Sequence, residues 1–307
     1  MRVLAHIHTY NDADIIDRTV ECLLQQTRPV DGILVVDNAS TDETLARSSI
    51  KYARVVRHSE NQGTSGTVYT GMQFALENSY DWIWVFDADS NPEPDALEKL
   101  LDCHAGLPKE AKDRAAYVAC VHRNVQDGLE QRAGVFTRRG FRPASHHLDD
   151  LYYPCHVVIW SGCLYRLATI QKIGLPNRDY VLDWGEGEYG YRIMKAGYTG
   201  FVCRQALMYH NSRGYTSIRS KNIKFGPLTV RVREFAPIRC YYTCRNQIYF
   251  SLHEAAEARF FYFLNAVRWV LPLTLNFVLR PRKHGEHIRA CLRGLWDGFT
   301  GRLNARY

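Results

Sequence analysis

The nine cysteines of this 307-residue chain form no Cys-x-x-Cys pair and no tight framework. That argues against a disulfide-stapled secreted scaffold and a zinc ribbon, and leaves reduced core residues as the expectation. There is no internal repeat and no low-complexity segment, so solenoids and disordered linkers drop out. The first residues, MRVLAHIHTYND, lack the charged start and long apolar core of a signal peptide, and a cytoplasmic chain is expected. Between residues 259 and 283 the longest stretch without a charge is Trp269 to Leu279. That falls short of the ~20 residues of a membrane span. Excess charge is also missing from most of the chain. The net charge of +7 resides in Ala258 to Tyr307, where nine Lys and Arg face two acids. The rest carries 30 basic and 30 acidic residues.

What is present is a globular composition, 46% hydrophobic and 23% charged, with length for one large or two modest domains. Short apolar runs alternate with helical periodicity as far as about residue 120. VLAHIHT, GILVVD, ARVVRHS and WIWVFD read as strands. Asp12 or Asp14 is expected to cap a helix through Leu24, and Asp42 to open another. The loop ENQGTSGTVYTG is expected to lead into a helix ending near Asn78. Such alternation implies an α/β fold with a mostly parallel, Rossmann-like sheet covered on both faces. Ligands of such sheets bind beyond the carboxyl ends of the strands. The polar loops HTYND, VDNASTD and FDADSN should therefore line one crevice. Residues 121–160 read as irregular, and the tail from about 255 as helical, interrupted by Pro272 and Pro281.

WIWVFDADSNPEPD raises the sharpest question, since a buried strand runs straight into Asp87 and Asp89. Two hard oxygen ligands at one strand end suit Mg²⁺ or Mn²⁺, and such an ion neutralises a leaving diphosphate. Standing alone, such a pair is more often a solvated turn whose carboxylates cap ALEKLL.

It does not stand alone. TYN (9–11), VVDNASTD (35–42), ENQGTSG (60–66) and FDADS (86–90) occur in the order and spacing of family 2 glycosyltransferases. Further on, DWGEGEYGYR (183–192), MYH (208–210) and YYTCRNQ (241–247) resemble the bacterial rhamnosyltransferase and galactofuranosyltransferase branch, over roughly residues 1–250. The resemblance implies an A-type glycosyltransferase fold with a C-terminal helical tail. It implies a nucleotide-sugar-binding half at 1–120, an acceptor and catalytic-base half at 121–254, and a basic tail at 255–307. Thr9, Tyr10, Asn11, Asp37, Asn61, Gly63, Gly66 and Asp87 match donor-binding positions. Thr64-Ser65 stands where the branch often has Gly-Ala, so the sugar stays open. Asp87, Asp89 and His210 match the metal site. Aligning EYGYR sets Glu186 at the catalytic base, where the family carries Asp, with Asp183 and Glu188 as alternatives. Asp183 and Glu186 would share a face of a helix. One of these acids would equally pair with Arg192 or Lys195. Trp160, Gly162 and Trp184 match acceptor-side positions, although both tryptophans are equally core candidates. Arg245-Asn246 resembles the branch's Arg-Asn pair and receives no role.

The expected activity is inverting transfer of a sugar, of rhamnose or galactofuranose type, from a UDP or dTDP donor to a glycan or lipid-linked glycan acceptor. The expected cofactor is Mn²⁺ or Mg²⁺. An apolar, aromatic segment beside a cationic one is what an interfacial membrane helix needs. The tail is therefore expected at the inner face of the cell membrane, against a buried helix pair or a homo-oligomer contact. No nucleic-acid module is present. A non-catalytic scaffold of the same fold competes with this reading. A sugar-phosphate nucleotidyltransferase competes less well, because HTYND lacks the glycine- and arginine-rich loop that a triphosphate needs.

Overall fold

Strand β1 (Val3–Thr9) shows why the sheet is closed to water on both sides. Val3, Ala5 and Ile7 face one way, Leu4 and His6 the other, and all five are buried. The computed structural model describes residues 1–125, 128–131, 133–147, 149–210, 219–225, 228–278 and 284–307. Among these, β2 (Gly32–Asp37) and β4 (Trp82–Asp87) pair with β1 in parallel, and β3 (Arg54–Arg57) pairs with β2 in parallel. The sheet continues through β10 (Cys163–Arg166), β6 (Ala115–Asn124), β11 (Thr199–His210) and β5 (Ser90–Pro92). Its order is β3-β2-β1-β4-β10-β6-β11-β5, with β9 (Tyr152–Cys155) also on β11. The run is parallel as far as β4. Strand β10 then lies antiparallel to both β4 and β6. Two small antiparallel pairs lie outside the sheet, β7 (Gly134–Thr137) with β8 (Gly140–Pro143) and β12 (Arg219–Phe225) with β13 (Leu228–Glu234).

Each face carries its own core. Helices α1 (Ile16–Leu24) and α3 (Ala96–Gly106) set Ile16, Val20, Leu97 and Leu100 against Ile7, Trp84 and Phe86. On the other face α2 (Gly63–Glu77) packs Val68 and Met72 against Leu34 and Val85. Helices α5 (Leu167–Ile173) and α6 (Gly185–Lys195) extend that layer through Ile170, Tyr189 and Ile193, and the short α4 (Lys109–Arg114) buries nothing. Each such side chain removed from water contributes about 1.5–3 kcal/mol before conformational entropy is set against it.

Several local expectations change. The N-cap position of α1 is Ile15, which has no capping side chain. The Asp12 carboxylate accepts instead from the Thr9 hydroxyl and the Tyr10 amide, each at 2.9 Å. Asp42 opens no α-helix. Its carboxylate accepts from the amide and hydroxyl of Thr44 and from the Ala13 amide, and two 3₁₀ turns follow, Thr44–Ala46 and Ser48–Tyr52. The glycines at 63 and 66 lie in the first turn of α2 rather than in a loop before it.

Backbone proximity divides the chain into two units. The first comprises Met1–Val135, Pro143–Arg178 and Glu186–Ser212. The second comprises Phe136–Arg142, Asp179–Gly185 and Arg213–Tyr307. The expected division at 120 falls inside β6, and that at 254 closes a π-helical turn, Phe250–Glu254. In the second unit α7 (Pro237–Tyr249), α8 (Arg259–Val278) and α9 (Gly285–Phe299) share a core of Cys240, Tyr241, Cys244, Val270, Leu273, Phe277 and Cys291. A Cβ at Gly294 would lie 2.4 Å from the Tyr241 carbonyl oxygen, so only glycine lets α9 lie this close to α7. Pro272 does not interrupt the tail helix. Helix α8 runs through it without a break, at the loss of one backbone hydrogen bond. Pro281 lies outside the described residues. All nine cysteines are free and seven are buried.

Candidate active site

The carboxyl ends of β1, β2 and β4 lie side by side, with Thr9 opposite Asp37 and His8 opposite Asp87. Three polar loops therefore start from one edge, as parallel pairing of the apolar runs requires. Asp37 is fully buried. It accepts from the Ser40 amide at 3.2 Å and pairs with Arg57 Nε at 3.2 Å. Asn11 takes a left-handed backbone (φ 56°), and its Oδ1 accepts from the Thr41 amide at 2.8 Å, tying the first loop to the second. Asn38 joins the second loop to the segment that follows β3. Its Nδ2 donates to Asn61 Oδ1 at 2.8 Å, and its Oδ1 accepts from the Gln62 amide at 2.8 Å. Asn61 Oδ1 also accepts from the Gly63 amide at 2.9 Å. Tyr10 is about half exposed beside this cluster, at 47%. Thr9, Asn11, Asp37, Asn61 and Gly63 thus share one hydrogen-bonded edge.

The acids of Asp-Ala-Asp meet a third candidate ligand there. Ligand atoms of Asp87, Asp89 and His210 all lie within 4.8 Å of one another. Strand β11 brings His210 to this point by pairing it with Ser90 on β5. His210 Nδ1 lies 3.2 Å from Asp89 Oδ1 and 2.8 Å from the Ser90 hydroxyl. Burial works against ionisation of Asp87, but the neighbouring His8, then His210 and His122, hold its carboxyl well below the usual range. His8 Nε2 pairs directly with Asp87 Oδ1. Two carboxylates with one imidazole are a donor set suited to Mn²⁺ or Mg²⁺, so these residues fit the ion.

A row of small polar groups holds the acids from below. The Asp87 amide donates to the Ser161 hydroxyl at 3.0 Å, and that hydroxyl donates to Ser90 at 2.8 Å. His122 Nε2 donates to the Ser161 carbonyl at 2.6 Å. Burial pushes the His122 imidazole down to about 4, so it is a neutral strut at physiological pH. Gly162 (φ +72°) is part of this floor. A Cβ there would stand 2.8 Å from His122 Nε2, and its amide donates to the Val85 carbonyl at 2.7 Å.

The three candidate bases separate. Glu186 lies in the first turn of α6. Burial first, then neighbouring charges that include Glu186, push up the Cys163 thiol and the Tyr165 phenol. The acid is therefore close to β10, the strand next to β4. Glu188 is buried and forms a two-point pair with Arg192, so it is the acid engaged within the helix. Asp183 precedes the helix, with φ 60°, and shares no helical face with Glu186. Its carboxylate accepts a fork of hydrogen bonds from Arg239. Trp160 is buried against Tyr165 and Tyr189. Trp184 meets the edges of Phe141 and Phe250.

His8, Ser90, His122, Ser161, Asn38 and Arg57 join the site without having stood out in the sequence. Two histidines at i and i+2 in VLAHIHT, just before a polar loop, are the one signal that points to His8.

Comparison with known proteins gives the family and the fold. The model of the family described as "Glycosyl transferase family 2" matches residues 5–174, more than half the chain. The galactofuranosyltransferase GlfT1 of Mycobacterium tuberculosis is 26% identical over 218 residues, 68% of this chain and 69% of that protein. The fold resembles GalNAc-T7 solved with UDP, GalNAc and Mn²⁺ (TM-score 0.58, 12% identity), over 88% of this chain and only 56% of the other. It also resembles the mannosyltransferase PcManGT from Pyrobaculum calidifontis, solved with GDP-Man and Mn²⁺. There the TM-score is 0.57 at 14% identity, over 97% of this chain and 86% of that one. The strand-end acids, the A-type sheet and the family match converge: the chain is a glycosyltransferase and belongs to glycosyl transferase family 2.

Proposed function

We propose that the protein is an inverting, metal-dependent transferase. It moves galactofuranose, or less favourably rhamnose, from a UDP or dTDP donor to a glycan or lipid-linked glycan acceptor in cell-surface polysaccharide synthesis. The observation that carries this reading is Asp87, Asp89 and His210 converging at the edge formed by the Thr9, Asp37 and Asn61 loops. The likeness to GlfT1 favours galactofuranose over rhamnose.

Asp37 and the Asn11 loop hold the nucleoside end of the donor. Asp87, Asp89 and His210 would hold Mn²⁺ or Mg²⁺, which when bound neutralises charge on the leaving diphosphate. Glu186 takes the proton of the acceptor hydroxyl as its oxygen bonds to the anomeric carbon. The bond from that carbon to the diphosphate oxygen breaks, and the nucleoside diphosphate leaves. Attack from the face opposite the leaving group inverts the centre. Incubating the chain and Mn²⁺ with UDP-galactofuranose, and separately with dTDP-rhamnose, on a galactan oligosaccharide tests this directly. The expected result is nucleotide release with the first donor and a product whose new linkage has the opposite anomeric configuration. Release of neither nucleotide, with no Mn²⁺-dependent UDP binding, would favour the scaffold.

We place the work at the inner face of the cell membrane, as a peripheral protein. Helix α8, 20 residues long, has the length and composition to cross a membrane. Yet Tyr262, Ala266, Val270, Leu273 and Phe277 along one strip are packed inside the unit, and Arg268 sits on the outer side. Phe260, Leu264, Trp269 and Leu271 on α8, with Trp296 and Phe299 on α9, are exposed beside Arg289 and Arg293. Half of the exposed large apolar side chains of the described residues fall between 260 and 299. That pattern suits a helix pair lying in an anionic interface, each arginine adding about 1 kcal/mol. Co-sedimentation should show binding to phosphatidylglycerol-rich vesicles, weakened in Trp269→Glu/Trp296→Glu. A solution dimer that the same variant dissolves would instead assign the face to a second copy.

A further inference from the structure

The pair Arg245-Asn246, fully buried, has partners that none of the steps above uses. Asn246 Nδ2 donates to two successive carbonyls, Leu182 at 2.9 Å and Asp183 at 2.7 Å. Its Oδ1 accepts from Arg245 Nε at 2.9 Å, which fixes the amide's orientation. Arg245 also donates to the Asp179 carbonyl at 2.6 Å. One turn back on α7, Thr243 donates to Asp183 Oδ2 at 2.8 Å, and Arg239 grips the same carboxylate at 2.6 and 3.0 Å. Residues 239, 243 and 246 follow the i, i+4, i+7 spacing of one helix face. A single face of α7 therefore holds Leu182 and Asp183 at their carbonyls and Asp183 at its carboxylate, while Arg245 beside that face holds the Asp179 carbonyl.

What it holds is strained. Asp183 (φ 60°) and Trp184 (φ 66°) are consecutive non-glycine residues in the left-handed region. Such a conformation persists only where the surroundings over-determine it. Glycine at either position would have removed the strain. Instead both side chains are engaged, Asp183 by α7 and Trp184 by the rings of Phe141 and Phe250. The next residue, Gly185, starts α6, and the one after it is Glu186. Tyr189 and Ile193 fix the later turns of α6 in the sheet's second core, but the first turn takes its entry from this strained pair.

We infer that Thr243 and Asn246 are positioning residues: they hold the Asp183–Trp184 turn from which α6 starts, and so set where Glu186 presents its carboxylate. The inference rests on the proposed reading of Glu186 as the base.

Four full-length chains test it, namely wild type, Thr243→Val, Thr243→Ser and Asn246→Asp. Valine has nearly the shape of threonine, and aspartate that of asparagine. Each of these two variants therefore removes hydrogen-bond donors with little change in volume. Turnover of UDP-galactofuranose, Mn²⁺-dependent UDP binding by calorimetry and hydrogen exchange over residues 180–190 are read on each. In Thr243→Val and Asn246→Asp the kcat should fall by about 10²-fold, as expected for a misplaced reacting group. Donor KM and UDP affinity should stay as in wild type, exchange over 180–190 should rise, and Thr243→Ser should restore kcat. Wild-type kcat in both variants overturns the positioning role, whether or not exchange rises. A fall in kcat matched by equal loss of UDP binding and of exchange protection throughout the sheet overturns it too, as general unfolding. Wild-type chain that neither binds UDP with Mn²⁺ nor turns over would sink the transferase reading itself, and the positioning role with it.

Discussion

Asp89→Ala should abolish Mn²⁺-dependent nucleotide binding and lower turnover by about three powers of ten. That magnitude follows from the several kcal/mol of charge stabilisation that a bound divalent ion supplies, at about 1.36 kcal/mol per tenfold. Asp89 is the sharper choice of the two acids. Asp87 already has a protein partner in His8 and an anchored amide on Ser161, so its replacement also disturbs the floor of the site. Asp89 stands instead 3.2 Å from His210 Nδ1, on the short β4–β5 connection. Its loss leaves Asp87 and His210 of the three proposed ligands, while His210 keeps its bond to Ser90. The fold should therefore survive, and melting should change little. Calorimetry of UDP with and without Mn²⁺, on the variant and the parent chain, reads the effect. Equal metal dependence in both would remove Asp89 from the metal site.

Glu186→Gln should behave in the opposite way, keeping nucleotide and metal while losing turnover by about 10²–10⁴-fold, the usual worth of a positioned general base. The amide is the same size and cannot accept the proton. The contrast with its neighbours makes the test specific. Glu188 is buried against Arg192, so Glu188→Gln weakens an ion pair and should show first as lower stability. Asp183 is held by Arg239 and Thr243, and its loss loosens the turn before α6. Kinetics and calorimetry on Glu186→Gln, with Asp183→Asn and Glu188→Gln alongside, assign the base. Full turnover in Glu186→Gln would move that role to another acid.

Much of the architecture is readable from the residues because burial on both faces leaves a plain mark. GILVVD and WIWVFD can only be interior strands, and their terminal acids can only emerge at one edge. The meeting of His210 with Asp89 is not readable from spacing. It comes from the family resemblance, since only the pairing of β5 with β11 brings them together. Other features stay hidden for a common reason. Ser161 acts on the Asp87 amide, 74 residues away, and a serine before a glycine has no signature for that. Arg245-Asn246 works on backbone carbonyls, which carry no sequence identity at all. Asp42 and Asp12 depart from the expected capping because a short carboxylate serves a nearby hydroxyl or loop amide as readily as a helix end.

The pairing of Ser90 with His210 joins positions 120 residues apart. Loops that long close late, after local helices and neighbouring strands have formed. The first ninety residues carry both acids of the proposed metal site but not its imidazole, so an incompletely folded or still emerging chain would offer the ion two carboxylates and no cage. Metal capture would then be a mark of finished folding. An ion that binds only the completed sheet also adds its binding free energy to the native state alone, so this enzyme would be most resistant to unfolding where the metal is most plentiful.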